Sequence, residues 1–232
     1  MSSAKGKFAR WFGGLFLQDT VVTEVSELGS SFRRIDLSGP PRATAGWQAG
    51  DKVQVLFPSD DVRTFTPTRW TDAGATTLLV HLRAEGTASA WARGLAVGQP
   101  VRFVGPQRSL RMAEGPVVLV GDETSIGVAA SYAAERPGQV AAVLEVGEDV
   151  DPGPALLAVG LGDAAVVRRR AGDAHHADLV AAVLDATGRR PAAVGITGGG
   201  DLIRGVRAGL AARGVRDAKV KAYWVPGKVA LD

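Results

Sequence analysis

Around residues 111–115 the hydrophobic pattern of this 232-residue chain changes period, and that change constrains the fold more than any other feature. Upstream, apolar and polar residues alternate as on half-buried strands. The candidate strands are Gln18–Ser26, Phe32–Leu37, Lys52–Phe57, Val62–Arg69, Thr76–Leu82 and Pro100–Gly105. Turn-forming residues separate them: Ser38-Gly39-Pro40-Pro41, Ala49-Gly50-Asp51, Pro58-Ser59-Asp60-Asp61 and Asp72-Ala73-Gly74. Short strands at this spacing predict a small antiparallel barrel, with one helix, Ala88–Leu95, before its last strand.

Downstream, Pro116–Val120 and Gln139–Val146 are continuous apolar strands, and Ala155–Val159, Ala164–Arg168, Ala192–Thr197 and Lys219–Trp224 are further strand candidates. Helical stretches fall between them: an alanine-rich run to about Glu135, then Asp178–Ala186 and Leu202–Arg213. Strands alternating with helices predict βαβ units and a mainly parallel sheet. The fold expected is therefore an antiparallel β-barrel domain, residues 1–112, followed by an α/β domain, residues 113–232.

Composition removes several chemistries. The chain has no cysteine, which excludes disulfides, thiolate metal sites, iron–sulfur clusters and cysteine nucleophiles. Its three histidines, His81, His175 and His176, are too few for a histidine-rich centre, and no metal site is assigned; the His175-His176 pair is expected at the surface. Twenty-seven Lys and Arg against 24 Asp and Glu leave a net charge of +3, too small a surplus to indicate nucleic-acid binding. No apolar run approaches the roughly 18 residues of a membrane span. The opening segment MSSAKGKFARWFGGLFLQD lacks a secretory cleavage pattern, and its Lys5–Phe12 part is expected to be a flap on the barrel. A cytoplasmic monomer without stable membrane insertion is the expectation.

Two segments of the first half offer ligand chemistry. In Arg63-Thr64-Phe65-Thr66-Pro67-Thr68, an edge strand closed by proline is one reading. The other is a site: a guanidinium for phosphate, a flat aromatic face and a hydroxyl at a ring edge. In His81-Leu82-Arg83-Ala84-Glu85-Gly86-Thr87-Ala88-Ser89-Ala90-Trp91, a strand ends, glycine turns the chain and a helix begins. Thr87 and Ser89 suit simple capping, while the free N–H groups of such a helix start suit an anion.

The second half carries Gly121-Asp122-Glu123-Thr124 between a strand and a helix, where dinucleotide pyrophosphates dock in many α/β domains. Asp122 and Glu123 fit N-capping better than phosphate binding. The acidic loop Gly147-Glu148-Asp149-Val150-Asp151 opposes a 2′-phosphate and tolerates a free ribose, whereas Arg168-Arg169-Arg170 is either a phosphate clamp or a solvated strand end, which leaves the dinucleotide preference open.

Taken together, Arg63-Thr64-Phe65-Thr66, His81 with Gly86–Trp91, Gly105-Pro106, Gly121–Thr124 and Tyr223-Trp224-Val225-Pro226-Gly227-Lys228 resemble one branch of the ferredoxin–NADP reductase superfamily. That branch is the siderophore-interacting proteins, FAD-dependent ferric-siderophore reductases, and the resemblance runs from about Thr20 to Asp232. It implies FAD at Arg63, Thr64, Phe65, Thr66, His81, Gly86, Thr87, Ala88, Ser89 and Trp91, with NADPH or NADH approaching Asp122, Thr124 and Trp224. Phe65 stands where the family has tyrosine, and Thr87 where it often has proline. Lys221 and Lys228 are the implied substrate-side cations for an anionic ferric siderophore, and no catalytic acid or base is required. A flavin- or siderophore-binding module without turnover, or a reductase for another acceptor, are the alternatives.

Overall fold

Seven antiparallel strands make the first unit of the computed structural model, which describes residues 17–39, 46–83, 85–189 and 192–225. They are β1 (Leu17–Leu28), β2 (Phe32–Leu37), β3 (Lys52–Leu56), β4 (Val62–Phe65), β5 (Arg69–Trp70), β6 (Thr76–His81) and β7 (Pro100–Gln107). Their spatial order is β4-β3-β7-β1-β2-β6-β5. The two edge strands, β4 and β5, are joined by only Thr66-Pro67-Thr68, a link of about 10 Å at full stretch. The sheet must therefore curl until its edges meet, and the barrel follows from that short connection. Val62–Arg69, expected as a single strand, is thus two strands on opposite edges; Pro67 has no N–H to continue a ladder.

Alternation fills the barrel. Val22, Ile35, Leu37, Val53, Val55, Phe57, Leu78, Val80, Val101 and Phe103 are buried inside it, each side chain contributing about 1.5–3 kcal/mol. Helix α1 (Thr87–Gly94) covers one end, burying Ala92 and Ser89. Its C-terminal carbonyls would be left without donors. Arg33, on β2, meets them: its guanidinium donates to the carbonyls of Ala92, Arg93 (2.7 Å) and Leu95 (3.0 Å).

The parallel sheet has the order β10-β9-β8-β11-β12, from β8 (Val117–Gly121), β9 (Val140–Val146), β10 (Ala165–Arg168), β11 (Ala193–Gly199) and β12 (Lys219–Trp224). Helices α2 (Ile126–Glu135) and α3 (Gly153–Ala158) cover one face, and α4 (His176–Arg189) and α5 (Gly200–Ala211) the other. With both faces covered, every residue of β8 is buried, as a continuous apolar run requires. Ala155–Val159, expected as a strand, lies mostly in α3. Pro152 and Gly153 start a helix there, Ala155 and Leu156 are buried, and Leu157 points to solvent at 74% exposure. With one turn between Pro152 and Gly160, period 2 cannot be told from period 3.6.

The sheets change over between Gln107 and Val117. Across that seam Phe32 and Ala49 of the first unit share a core with Leu119, Ile126, Tyr132 and Leu144 of the second. Tyr132 ties it: its hydroxyl accepts from the Met112 N–H (3.0 Å) and donates to the Leu110 carbonyl (3.1 Å). Ser131 and Glu135 of α2 accept from the N–H groups of Gly50 (3.1 Å) and Ala49 (3.0 Å). Among the described residues no helix is long and apolar enough to cross a membrane.

Candidate functional site

A strand order that reverses direction leaves a crevice at the carboxyl ends of its central strands. Here the reversal falls between β8 and β11, and just past the end of β8, Thr124 and Gly127 share a cavity wall with Thr66 of the barrel's β4–β5 link and with the start of α1. Thr66 lies directly on the start of α2: a Cβ on Gly127 would sit 2.8 Å from the Thr66 carbonyl oxygen. Only glycine lets the barrel link approach this closely.

A cavity of about 510 Å³ occupies the seam, within the range for small-molecule sites. Its walls include Arg63, Thr64, Phe65, Thr66, His81, Gly86, Thr87, Ala88, Ser89, Thr124 and Trp224, so residues far apart in the chain converge on one space. A second cavity of about 420 Å³ adjoins it, lined by Glu123, Gly147, Asp149, Val150 and Arg169. His81, Arg83, Thr124 and Trp224 line both.

The wall at α1 is shaped for an anion. Gly86, with φ of 131°, is the N-cap and no side chain caps the helix. Ser89 points its hydroxyl inward, where it accepts from the Arg83 N–H (2.9 Å). The first-turn amides of α1 therefore retain their hydrogen-bonding capacity at the positive end of the helix dipole. Arg63 stands in the same wall, one third exposed, with Nη1 donating to the Val62 carbonyl (2.8 Å) and Asp61 at 3.9 Å. Phe65 supplies an aromatic surface, held from behind by Trp91 (centroids 5.7 Å) and Phe57 (6.5 Å). Trp91 thus backs Phe65 and is not itself in the cavity wall. An aromatic wall, a guanidinium and an open helix start fit the isoalloxazine and pyrophosphate of a flavin dinucleotide.

Asp122 was expected beside the nicotinamide donor, but it lies beneath the cavities and is fully buried. Its carboxylate accepts from the N–H groups of Thr124 (2.9 Å) and Gly199 (2.8 Å) and from the Trp224 indole (2.7 Å). Burial pushes this carboxyl above its ordinary range, while the Thr124 and Trp224 donors pull against the shift. Asp122 therefore shapes the floor and holds Trp224, which is 37% exposed in the wall of both cavities. Gly199 is required beneath that indole, since a Cβ would come within 2.7 Å of it. His81 packs on Phe32 (5.1 Å), and its imidazole pKa is lowered, chiefly by burial, against the opposing pull of Glu123.

The arginine run is internally engaged. Arg168 donates to the carbonyls of Gly147 (2.9 Å) and Val150 (2.6 Å). Arg169 bridges Glu123 (3.1 Å) and Glu145 (3.3 Å), and Arg170 pairs with Asp178. Glu123 also accepts from the Gly147 N–H (2.7 Å), fastening the acidic loop to β8's end.

His175, expected at the surface, is fully buried, and His176 nearly so. With Glu145 they place three possible metal-ligating atoms within 4.8 Å of one another. The hydrogen bonding assigns them another role. The Arg170 N–H donates to His175 Nδ1 (3.0 Å), which puts the ring proton on Nε2, facing Glu145. A metal on Nε2 would need an imidazolate, and Arg169 already competes for the same carboxylate. The cluster is an ion-pair network that steadies the loop.

Lys221 lies on β12 outside both cavity walls, and Lys228 and the Lys5–Phe12 segment lie outside the described residues. Arg83 and Tyr223, which stand inside the quoted motifs without a role assigned to them, and Gly127 all line the larger cavity.

A curled antiparallel sheet followed by a five-stranded parallel sheet, with a cleft at their seam, is the architecture of ferredoxin reductase-like proteins. Among solved structures, the chain is similar to a siderophore utilization protein from T. fusca, at 22% identity and a TM-score of 0.69, covering 94% of this chain and 96% of that one. The siderophore-interacting protein SipS from Aeromonas hydrophila matches at 20% identity and a TM-score of 0.65, over 93% and 94% of the two chains. The ferredoxin reductase in carbazole 1,9a-dioxygenase matches at 15% identity and a TM-score of 0.71, over 90% of this chain and 70% of that one. At these identities the likeness is one of fold. No protein-family model matches the chain, and no curated protein matches it in sequence.

Proposed function

We propose that this chain is an FAD-dependent NAD(P)H oxidoreductase whose acceptor is a ferric siderophore. The observation that carries this reading is the pair of adjoining cavities at the seam. One offers Arg63, Phe65 and the open start of α1, and the other lies at the carboxyl edge of the parallel sheet. FAD, when bound, would supply the conversion of a two-electron hydride donor into one-electron steps, so that one NAD(P)H serves two ferric ions. The protein's part is positional. Arg63 and the α1 amides hold the pyrophosphate, Phe65 flanks the ring system, and Thr66 offers a hydroxyl at the seam. His81 and Trp224 wall the passage between the cavities. Iron is substrate here, released because ferrous ion binds hard oxygen ligands less tightly than ferric ion.

The test is reconstitution with FAD, anaerobic addition of NADH and then addition of a ferric catecholate or hydroxamate chelate with a ferrous-specific trap. Flavin bleaching followed by trapped ferrous iron supports the reading. Bleaching without iron release favours a different acceptor, such as a protein redox centre, and no bleaching leaves a binding module.

Donor preference follows from the engaged arginines. None of Arg168, Arg169 and Arg170 is free to meet a 2′-phosphate, and Asp149 lines the donor-side cavity. NADH is expected to exceed NADPH in kcat/KM by about tenfold, equivalent to about 1.4 kcal/mol of unfavourable phosphate placement. Steady-state rates with both donors check this, and an NADPH preference would mean that Arg169 leaves its carboxylates to clamp the phosphate.

Phe65→Tyr retains the ring and adds a hydroxyl in a wall that already holds hydrogen-bonding groups. FAD affinity is expected to stay equal or rise up to about fivefold, from about 1 kcal/mol of added hydrogen bonding. A large loss of flavin on gel filtration would show that the ring does not face the cofactor.

A further inference from the structure

Tyr223, near the end of β12, lines the larger cavity, yet its hydroxyl oxygen is buried and has no hydrogen-bond partner. Thr197, fully buried on β11, also has an unpartnered hydroxyl. Buried hydroxyls without partners destabilise a fold, and proteins rarely keep them without a use. The phenol's surroundings show what the use is. Burial holds its pKa far above the ordinary tyrosine range, Asp122 and Tyr132 add to the shift, and the side chains of Thr66 and Thr197 are close enough to oppose it. Tyr223 therefore keeps its proton at every physiological pH and is always able to donate.

Thr66 lies in the wall of the same cavity as this phenol. A threonine hydroxyl has one hydrogen and two lone pairs. If Tyr223 donates to one lone pair, the Thr66 hydrogen must point elsewhere, and the open direction is the cavity.

We propose that Tyr223 is a positioning residue that acts through Thr66: its hydroxyl donates to Thr66 Oγ1 when a ligand engages that threonine, turning the Thr66 hydrogen toward a ligand acceptor. Thr197 can donate in turn to the Tyr223 oxygen, giving a chain Thr197–Tyr223–Thr66–ligand whose members strengthen one another. The ligand atom is an acceptor at the edge of the flavin ring, so this inference rests on the flavin reading above. The unpartnered hydroxyls are then groups whose hydrogen bonds are completed by the ligand.

Tyr223→Phe tests this, because it removes the hydroxyl and keeps the packing. Two measurements are made on the full chain: the urea midpoint without flavin, and FAD affinity by fluorescence titration. The variant is expected to unfold at the same or a higher midpoint and to bind FAD about five- to tenfold more weakly. In a Thr66→Val background the same change is expected to cost no further affinity. A lower midpoint with unchanged FAD affinity would make the hydroxyl purely structural. An undiminished loss in the Thr66→Val background would mean that Tyr223 acts without Thr66. Either result overturns the proposal. Wild-type protein that takes up no FAD overturns the flavin reading and this inference with it, an outcome seen in the first titration before any variant is made.

Discussion

Replacing Arg33 with methionine is expected to lower stability by about 3 kcal/mol and to abolish firm flavin retention. The substitution keeps most of the buried stem but removes a guanidinium that donates to the carbonyls of Ala92, Arg93 and Leu95 and lies 3.1 Å from Glu27. Buried carbonyls left without donors cost about 1–3 kcal/mol each, and the cation at the helix C-terminus is lost as well. For a chain of this length the thermal midpoint should fall by about 6–12 °C. The flavin effect comes from geometry. Arg33 fixes the far end of α1, and the near end presents the amides proposed to hold the pyrophosphate. Arg33→Lys should restore less than half the stability, since one ammonium cannot serve three carbonyls in the fork of a guanidinium. Urea unfolding and flavin occupancy after gel filtration check both parts; an unchanged midpoint would remove Arg33 from the support of α1.

Arg63→Ala is expected to separate the two effects: flavin lost, fold kept. The side chain is a third exposed and makes one backbone hydrogen bond, to Val62, so its removal should change stability by less than about 1 kcal/mol. A charge-assisted contact with phosphate contributes about 1.5–3 kcal/mol, so FAD should bind about 10- to 100-fold more weakly. The loss should shrink as salt rises, because a partly exposed charge is screened. Equal flavin occupancy in the two proteins would take Arg63 out of the site. The contrast between the variants is itself informative. Arg33 supports the cradle and Arg63 belongs to its inner surface.

Much of this was legible along the chain. β2 and β12 lie at the residues the sequence predicts: the apolar residues of β2 alternate into the core between turn residues, and β12, with no fully buried residue, is an edge strand. The segments Arg63 to Thr66 and Gly86 to Ser89 also stand out along the chain, since each is a local motif whose backbone geometry its own residues impose, and both line the larger cavity. Local pattern failed where two periods coincide over a few residues, as at Ala155–Val159, and where one apolar run is divided by a turn, as at Pro67. It also failed at Asp122. A carboxylate after a strand has the same sequence signature whether it faces a ligand or lies buried, bound to its neighbour Thr124 and to the distant Gly199 and Trp224.

The sequence by itself determined two sheets of different kinds, their order in the chain, and the residue types able to bind phosphate and an aromatic ring. These depend on interactions within about ten residues, where covalent geometry and side-chain alternation leave few choices. Only the tertiary structure decided that Arg33 caps α1, that Arg168 and Arg169 are engaged, that His175 is buried against Glu145 and that Tyr223 and Thr66 share one cavity wall. Each of these is a pairing across 18 to 157 residues, and such pairings are set by which faces the core brings together, which no local pattern encodes.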